Sequence, residues 1–252
     1  MQDRHRMRDD QWERIKDALP GKEGDPGRTG ADNRQFVEAV MWIGKTGAPW
    51  RDLPLERGNW STVHKRFRRW AEKGLWQMIF NTLAVDADTE WLMIDSTIVR
   101  AHQHSAGAKR GGAETQSLGC SRGGLSTKIH ASTDALGNPT KFLLTGGEKA
   151  DCSQALELLE GQRGEAVLAD KGYDADYIID AVLAMEAEPV IPPRSHRKTP
   201  REYDKILYKE RNQVERMYGK IKQFRRVATR YDKLASSYES FVLIAAICLW
   251  LN

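Results

Sequence analysis

Along the first 85 residues the apolar positions recur at helical spacing. In DDQWERIKDALP, Trp12, Ile15 and Leu19 share one face, and Pro20 with Gly21 ends the segment. GKEGDPGRTG reads as a loop, after which ADNRQFVEAVMWIG resumes the period with Phe36, Val40 and Ile43 on one side. TGAPWRDLPLERGNW is rich in turn residues and has no periodicity. STVHKRFRRWAEKGLW is then a further helix, with Ser61 as the expected N-cap. Its stripe of Val63, Phe67 and Trp70 faces a core, while Lys65, Arg66, Arg69 and Lys73 lie opposite. A short helix, a tight connection and a basic amphipathic helix resemble a helix-turn-helix unit, so contact with DNA is expected of the basic face. Trp50, Trp60, Trp70 and Trp76 are expected to serve the core of this domain rather than to stack on bases.

From residue 91 the period changes. WLMIDSTIV is a short, β-branched apolar run, and STKIHASTD alternates before the turn LGNP and a second strand in NPTKFLLTGG, together a hairpin. DCSQALELLEG and DADYIIDAVLAMEA read as helices, AVLADKGYD and AEPVIPPR as strands. Two further helices follow, Tyr208–Lys222 and the apolar SYESFVLIAAICLWLN. Adjacent antiparallel strands followed by alternating helix and strand predict a mixed α/β sheet with helices on both faces.

Composition narrows the class. A chain of 252 residues with 40% hydrophobic and 29% charged residues can bury a sizeable core, and disorder is not expected. Three cysteines at wide spacings (Cys120, Cys152, Cys248) fit a reduced compartment and supply neither a disulfide framework nor a zinc site. The opening MQDRHRMRDDQWERI lacks the apolar core of a signal peptide, and the longest apolar run, FVLIAAICLWL, is 11 residues, too short for a bilayer. A cytoplasmic protein with no membrane partner is expected.

Charge placement points to a polyanion. Residues 51–73 hold seven Lys/Arg against three acids, and residues 194–233 hold fourteen against five. The two segments carry +4 and +9 in a chain of net +4, so the remainder stands at −9. Two basic segments on an otherwise acidic chain suggest two surfaces that meet a nucleic acid.

Three acids sit where acids are costly or out of place. Asp95 in LMIDST and Asp170 in VLADKG each end an apolar strand, where an uncompensated carboxylate costs several kcal/mol. An aspartate there can simply cap the next turn. Two on neighbouring strands suggest a shared cation. The third, Glu215, lies in YKERNQVERMYGKIK among five Lys/Arg. With Tyr208 as zero and about 100° per residue, Arg211, Glu215 and Lys222 fall near −60°, −20° and −40°, one narrow stripe. That stripe is no apolar packing face, although Arg211 and Glu215 at i,i+4 suit a simple ion pair. His102 and His104 in RAHQHSAGAKRGG lack nearby Cys or acid ligands and read as part of a loop beside the DNA rather than a metal site.

The spacing Tyr208-x2-Arg211-x3-Glu215-x6-Lys222 resembles the motif of insertion-sequence transposases of the DDE type. MIDSTIVRAHQH, SRGGLSTKIHASTDALGNP, LADKGYD, TGAPWRDLP and FRRW extend the likeness over nearly the whole chain, and together they look like the insertion-sequence-five family. The resemblance implies a helical DNA-binding domain at residues 1–85 and a ribonuclease-H-like catalytic domain at 86–252. Its triad would be Asp95, Asp170 and Glu215, 75 and 45 residues apart, holding two Mg²⁺ ions that Mn²⁺ can replace. Only about 14 residues, Ser195 to Tyr208, precede the glutamate helix, which leaves no room for the insertion domain some relatives carry. Arg211 and Lys222 would hold phosphates, Tyr208 would stack or donate a hydrogen bond, and Arg225, Arg226, Arg230 and Lys233 would touch the backbone. The implied function is transposition: binding the terminal inverted repeats, cutting the element ends and joining the 3′-hydroxyls to target DNA, as a homodimer on double-stranded DNA in the bacterial nucleoid. A metal-dependent nuclease and an inactive DNA-binding regulator are the alternatives.

Overall fold

A computed structural model describes residues 6–22, 24–25, 32–107 and 112–252. Most of the loop expected at Gly21–Gly30 and the tip of the Arg100–Gly112 segment lie outside these residues. In chain order the helices are α1 (Asp9–Glu13), α2 (Asn33–Thr46), α3 (Trp60–Glu72), α4 (Leu75–Ala84), α5 (Ala155–Leu159), α6 (Asp176–Ala184), α7 (Asn212–Ile221), α8 (Arg225–Ala228) and α9 (Ala235–Trp250). Strands β1 (Trp91–Ala101), β2 (Gly119–Ser121), β3 (Gly124–Thr133), β4 (Pro139–Gly146), β5 (Ala166–Leu168) and β6 (Glu188–Val190) form the central sheet. The chain divides into two compact units, Met1–Val85 with Ile221–Asn252, and Asp86–Lys220. By packing, Ile221–Asn252 groups with the N-terminal helices, where α9, apolar on every side, is an interior helix.

In the first unit α9 packs against α2, α3, α4 and α8. Phe241 of α9 stacks on Phe67 at 4.8 Å, and Phe36, Trp70 and Trp76 close the cluster. Trp70 and Trp76 are buried, while Trp50 and Trp60 are half-buried at its rim. The expected stripe Val63, Phe67 and Trp70 is buried. Three local expectations shift. Asn59, not Ser61, caps α3, its Oδ1 accepting from Ser61 N at 3.0 Å and Thr62 N at 3.2 Å, because the helix starts at Trp60, before Ser61. Gly74 in the left-handed conformation (φ 66°) then ends α3 and opens α4, so the predicted single helix is two. The first predicted helix is likewise split into α1 and a 3₁₀ turn, Lys16–Ala18, and buries Gln11 rather than Trp12. Gly47 is required by geometry: at φ 71° it caps α2, and a Cβ there would lie 2.8 Å from Arg225 Cβ.

In the second unit the strand order is β4-β3-β1-β5-β6, with β2 pairing the first residues of β3. β1 is antiparallel to β3 and parallel to β5, and β5 is parallel to β6. This is the mixed ribonuclease-H-like order. Leu92 and Ile94 face a core completed by Leu158 and Leu159 of α5, Val167 of β5, and Ile178, Ile179 and Val182 of α6. By the period of two, Met93 and Asp95 face the other side, where α7 lies and Tyr218 donates to the carbonyls of Asp95 (2.7 Å) and Ile129 (3.2 Å). The predicted alternation of STKIHASTD is absent as burial, because β3 lies between two neighbours with both faces covered, which takes even Lys128 and His130 inside.

Candidate active site

The register of β1 and β5 brings the two aspartates together. Met93 pairs with Leu168, and two residues further on each parallel strand stand Asp95 and Asp170, hence on the same face. Asp95 lies inside β1 rather than at its end, as expected from sequence, because the strand runs on to Ala101. Asp170 stands just past β5. Its Oδ1 accepts from Gly172 N at 2.8 Å, so the capping role open to it is realised. A Cβ on Gly172 would meet that oxygen at 2.8 Å, so a larger residue there would have to displace the Asp170 carboxylate.

Glu215 comes from the first turn of α7 and pairs with Arg211 Nη2. Arg211 Nη1 also reaches Asp95 Oδ2 at 3.5 Å. One guanidinium thus joins the first and third acids, and the ion pair open to Glu215 is realised too. The even stripe of the sequence reading is modified: Tyr208 and Arg211 belong to a 3₁₀ turn, Leu207–Arg211, and α7 ends at Ile221, one residue before Lys222. The tighter 3₁₀ winding changes the angular step. Tyr208 still accompanies Arg211, whose guanidinium lies 5.9 Å from the phenol ring centre.

Asp95 is the perturbed acid. Burial pushes its pKa up to about 6, the Ser96 N–H and Arg211 pull it down, and the charges of Asp170 and Asp151 push it up again. Asp151 was not singled out in the sequence. It takes Ser96 Oγ at 2.5 Å and the buried Lys128 Nζ at 2.6 Å on one oxygen, and Lys128 also donates to Lys149 O at 2.5 Å. Beside it His130 is fully buried with Nε2 2.8 Å from Thr145 Oγ1, and burial lowers its pKa to about 4, so it is neutral. A lysine and a histidine two apart in a strand were the available signal for this network, but it needed the burial of both sheet faces to be read.

Among the described residues no three His, Cys, Asp or Glu side chains converge on one metal position. The donor chemistry nonetheless suits a hard cation: three carboxylates, Asp95 and Asp170 on one sheet face and Glu215 tied to Asp95 through Arg211.

The predicted DNA contacts separate. Lys65, Arg69 and Arg225 are exposed. Arg66 is half-buried, bonded to Asn33 Oδ1 with its guanidinium 4.2 Å from the Phe36 ring centre and 5.0 Å from that of Trp70. Arg226 and Arg230 are not available as backbone contacts: they are 7% and 0% exposed. Arg230 donates to Asp232 O at 3.0 Å and lies over Tyr238, and Arg226 is 3.7 Å from the Asp232 carboxylate. Burying these cations with an acid and an aromatic ring is what the packing of α9 requires. No helix among the described residues is long and apolar enough to cross a membrane.

Residues 7–80 match the family model described as "Putative transposase of IS4/5 family", and residues 86–251 match that of the transposase DDE domain. A Brucella ovis protein, "Putative transposase for insertion sequence element IS6501", is 39% identical over 133 residues, 51% of this chain and all of that one. The Sinorhizobium fredii protein y4sN is 51% identical over 106 residues, 41% of this chain and 83% of its own length. In structure the chain resembles the piggyBac transposase synaptic complex, with a TM-score of 0.51 at 12% identity, over 95% of this chain and 70% of that one, which bears on the fold. With both segments matched, the chain belongs to the DDE transposases of insertion sequences and is a DNA transposase.

Proposed function

We propose that residues 1–85 recognise the terminal inverted repeats of an insertion sequence, and that residues 86–252 cut the element ends and join their 3′-hydroxyls to target DNA. The observation that carries this is the placement of Asp95 and Asp170 on one sheet face with Arg211 spanning Asp95 and Glu215. Asp95, Asp170 and Glu215 would hold two divalent cations, Mg²⁺ or Mn²⁺, which when bound polarise the scissile phosphate and lower the pKa of water.

The protein's own part is positioning. Arg211, already a half-buried cation beside two acids, exchanges them for the phosphate next to the scissile bond, a charge-assisted contact that its planar fork suits. Tyr208 steadies that guanidinium or stacks on a sugar-base edge. Lys222, Lys65, Arg69 and Arg225 hold the DNA backbone, and Arg66 shapes the surface around them. Cutting and joining are both in-line displacements at phosphorus, so one constellation serves both. Bringing two ends together calls for a homodimer, working in the bacterial nucleoid.

The second reading is a DNA-binding regulator that does not cut, and the Arg211–Glu215 ion pair is the observation that favours it. The experiment offers a duplex bearing the element's own end and a supercoiled target plasmid with Mg²⁺. Transposition gives end-specific nicks and covalent joining of the duplex to the plasmid. Nicks without joining indicate a nuclease, and binding without nicks a regulator.

A further inference from the structure

Three arginines of the second basic segment, Arg194, Arg197 and Arg201, turn to the stretch of chain that follows Asp170. The chain leaves β6 through Pro192 and Pro193, which carry no N–H. The next backbone donor, Arg194 N, goes to Asp174 Oδ2 at 2.8 Å. Arg197 Nε donates to the same oxygen at 2.8 Å, and Arg201 Nη1 donates to Oδ1 at 3.0 Å. Both guanidiniums also hold Asp176, Arg197 at 2.9 Å. The Asp174 side chain is 2% exposed. Burial works against its charge, but Arg197, the Arg194 N–H and Arg201 hold its pKa below the ordinary carboxylate value. Asp174 is therefore an ionised anchor that fixes where Arg194 stands.

The Arg194 side chain reaches further back along the same turn. Its Nη2 donates to Gly172 O at 2.6 Å and its Nε to Lys171 O at 3.2 Å. The Lys171 carbonyl shares one peptide plane with the Gly172 N–H, and that N–H donates to Asp170 Oδ1 at 2.8 Å. A planar trans peptide points its C=O and N–H in opposite directions, so holding one end aims the other. Guanidinium, peptide and carboxylate thus form a rigid relay. A planar fork can serve two carbonyls at once, whereas a lysine ammonium offers a single point of charge.

Building on the function proposed above, we propose that Arg194 is a positioning residue that orients the Asp170 carboxylate for a divalent cation through the Lys171–Gly172 peptide. Asp174, Arg197 and Arg201 form the clamp that seats it. This part of the basic segment serves the metal site rather than the DNA. No proton is transferred. An outer partner of this kind typically changes metal affinity or activity by about 10–100-fold when removed.

Arg194→Ala removes the fork, and Arg194→Lys keeps the charge without it. Mn²⁺ affinity of the DNA-free protein is read from the electron paramagnetic resonance signal of free Mn²⁺, well below each protein's melting temperature. Affinity for the end duplex without metal and cleavage at limiting Mn²⁺ are read alongside. The expected result is a loss of about tenfold in Mn²⁺ affinity in both variants, with cleavage falling alike and duplex affinity unchanged. Unchanged Mn²⁺ affinity overturns the inference even if the melting temperature falls, since Arg194 then only holds the fold. Duplex binding that weakens in the alanine variant and returns with lysine also overturns it, since Arg194 is then a phosphate contact. A wild type that binds no Mn²⁺ and cuts nothing overturns the function itself; a wild type that cuts, matched by equal variants, overturns the role of Arg194 alone.

Discussion

Arg211 Nη1 stands 3.5 Å from Asp95 Oδ2 while its other arm holds Glu215, so one guanidinium occupies the ground between two of the three proposed metal-binding acids. A cation there relieves the repulsion that would otherwise act between carboxylates brought together for a metal. It also competes with that metal. Replacing Arg211 with Gln therefore has opposite effects on two measurements. In DNA-free protein, Mn²⁺ affinity rises severalfold, because the internal cation is gone. End cleavage falls by about 10²-fold, because the phosphate contact is gone as well. Titration calorimetry and a nicking assay check the two arms, and a parallel fall in both contradicts this role.

Asp95 sets a pH dependence. Its ordinary value is 3.8 and its folded value about 6, so the folded state holds the proton more tightly than the unfolded chain. The sign follows: this group's contribution to stability is complete below about pH 4 and is lost as pH rises through 6. A shift of this size corresponds to roughly 3 kcal/mol at about 1.4 kcal/mol per unit. Asp95→Asn should raise the urea midpoint at pH 8 and have little effect at pH 4. Divalent-cation affinity of the wild type should climb across pH 5 to 7 as the carboxylate ionises, and a flat profile over that range contradicts the assignment.

The sequence made the sheet legible because its strands are β-branched and separated by clear turns, and LGNP marks the hairpin as such. The candidate acids were singled out because LMIDST and VLADKG each set an aspartate in an apolar run, while Glu215 stood out only by its spacing to Tyr208, Arg211 and Lys222. Three things were hidden. Arg226 and Arg230 look like DNA contacts in KQFRRVATRYDK, and only the packing of α9 shows that both are interior. Asp151 sits in an unremarkable DCSQ and acquires meaning through Lys128 and Ser96, which lie 23 and 55 residues away. The 3₁₀ turn at Leu207–Arg211 cannot be told from α-helix by composition, so the stripe was drawn too straight.

Surface and interior arginines should separate in experiment. Changing Lys65, Arg69 or Arg225 to Gln should weaken binding to specific and random duplex alike and lower the salt dependence by about one unit each, with no change in unfolding. Arg230→Ala should instead cost about 3–5 kcal/mol in urea unfolding, since it removes a buried guanidinium that Asp232 and Tyr238 surround. Equal salt slopes for wild type and the three surface variants would show that the basic face does not carry the DNA.

The central claim is that Asp95, Asp170 and Glu215 act as one catalytic unit. It is tested by cleavage of a labelled end duplex with Mg²⁺ by wild type, Asp95→Asn, Asp170→Asn and Glu215→Gln, with binding to the same duplex measured alongside. The account predicts metal-dependent nicks by the wild type and a loss of at least about 10³-fold in each variant while binding persists. A Glu215→Gln protein that still cuts at the wild-type rate would contradict it, and would leave Glu215 as the ion-pair partner of Arg211 and nothing more.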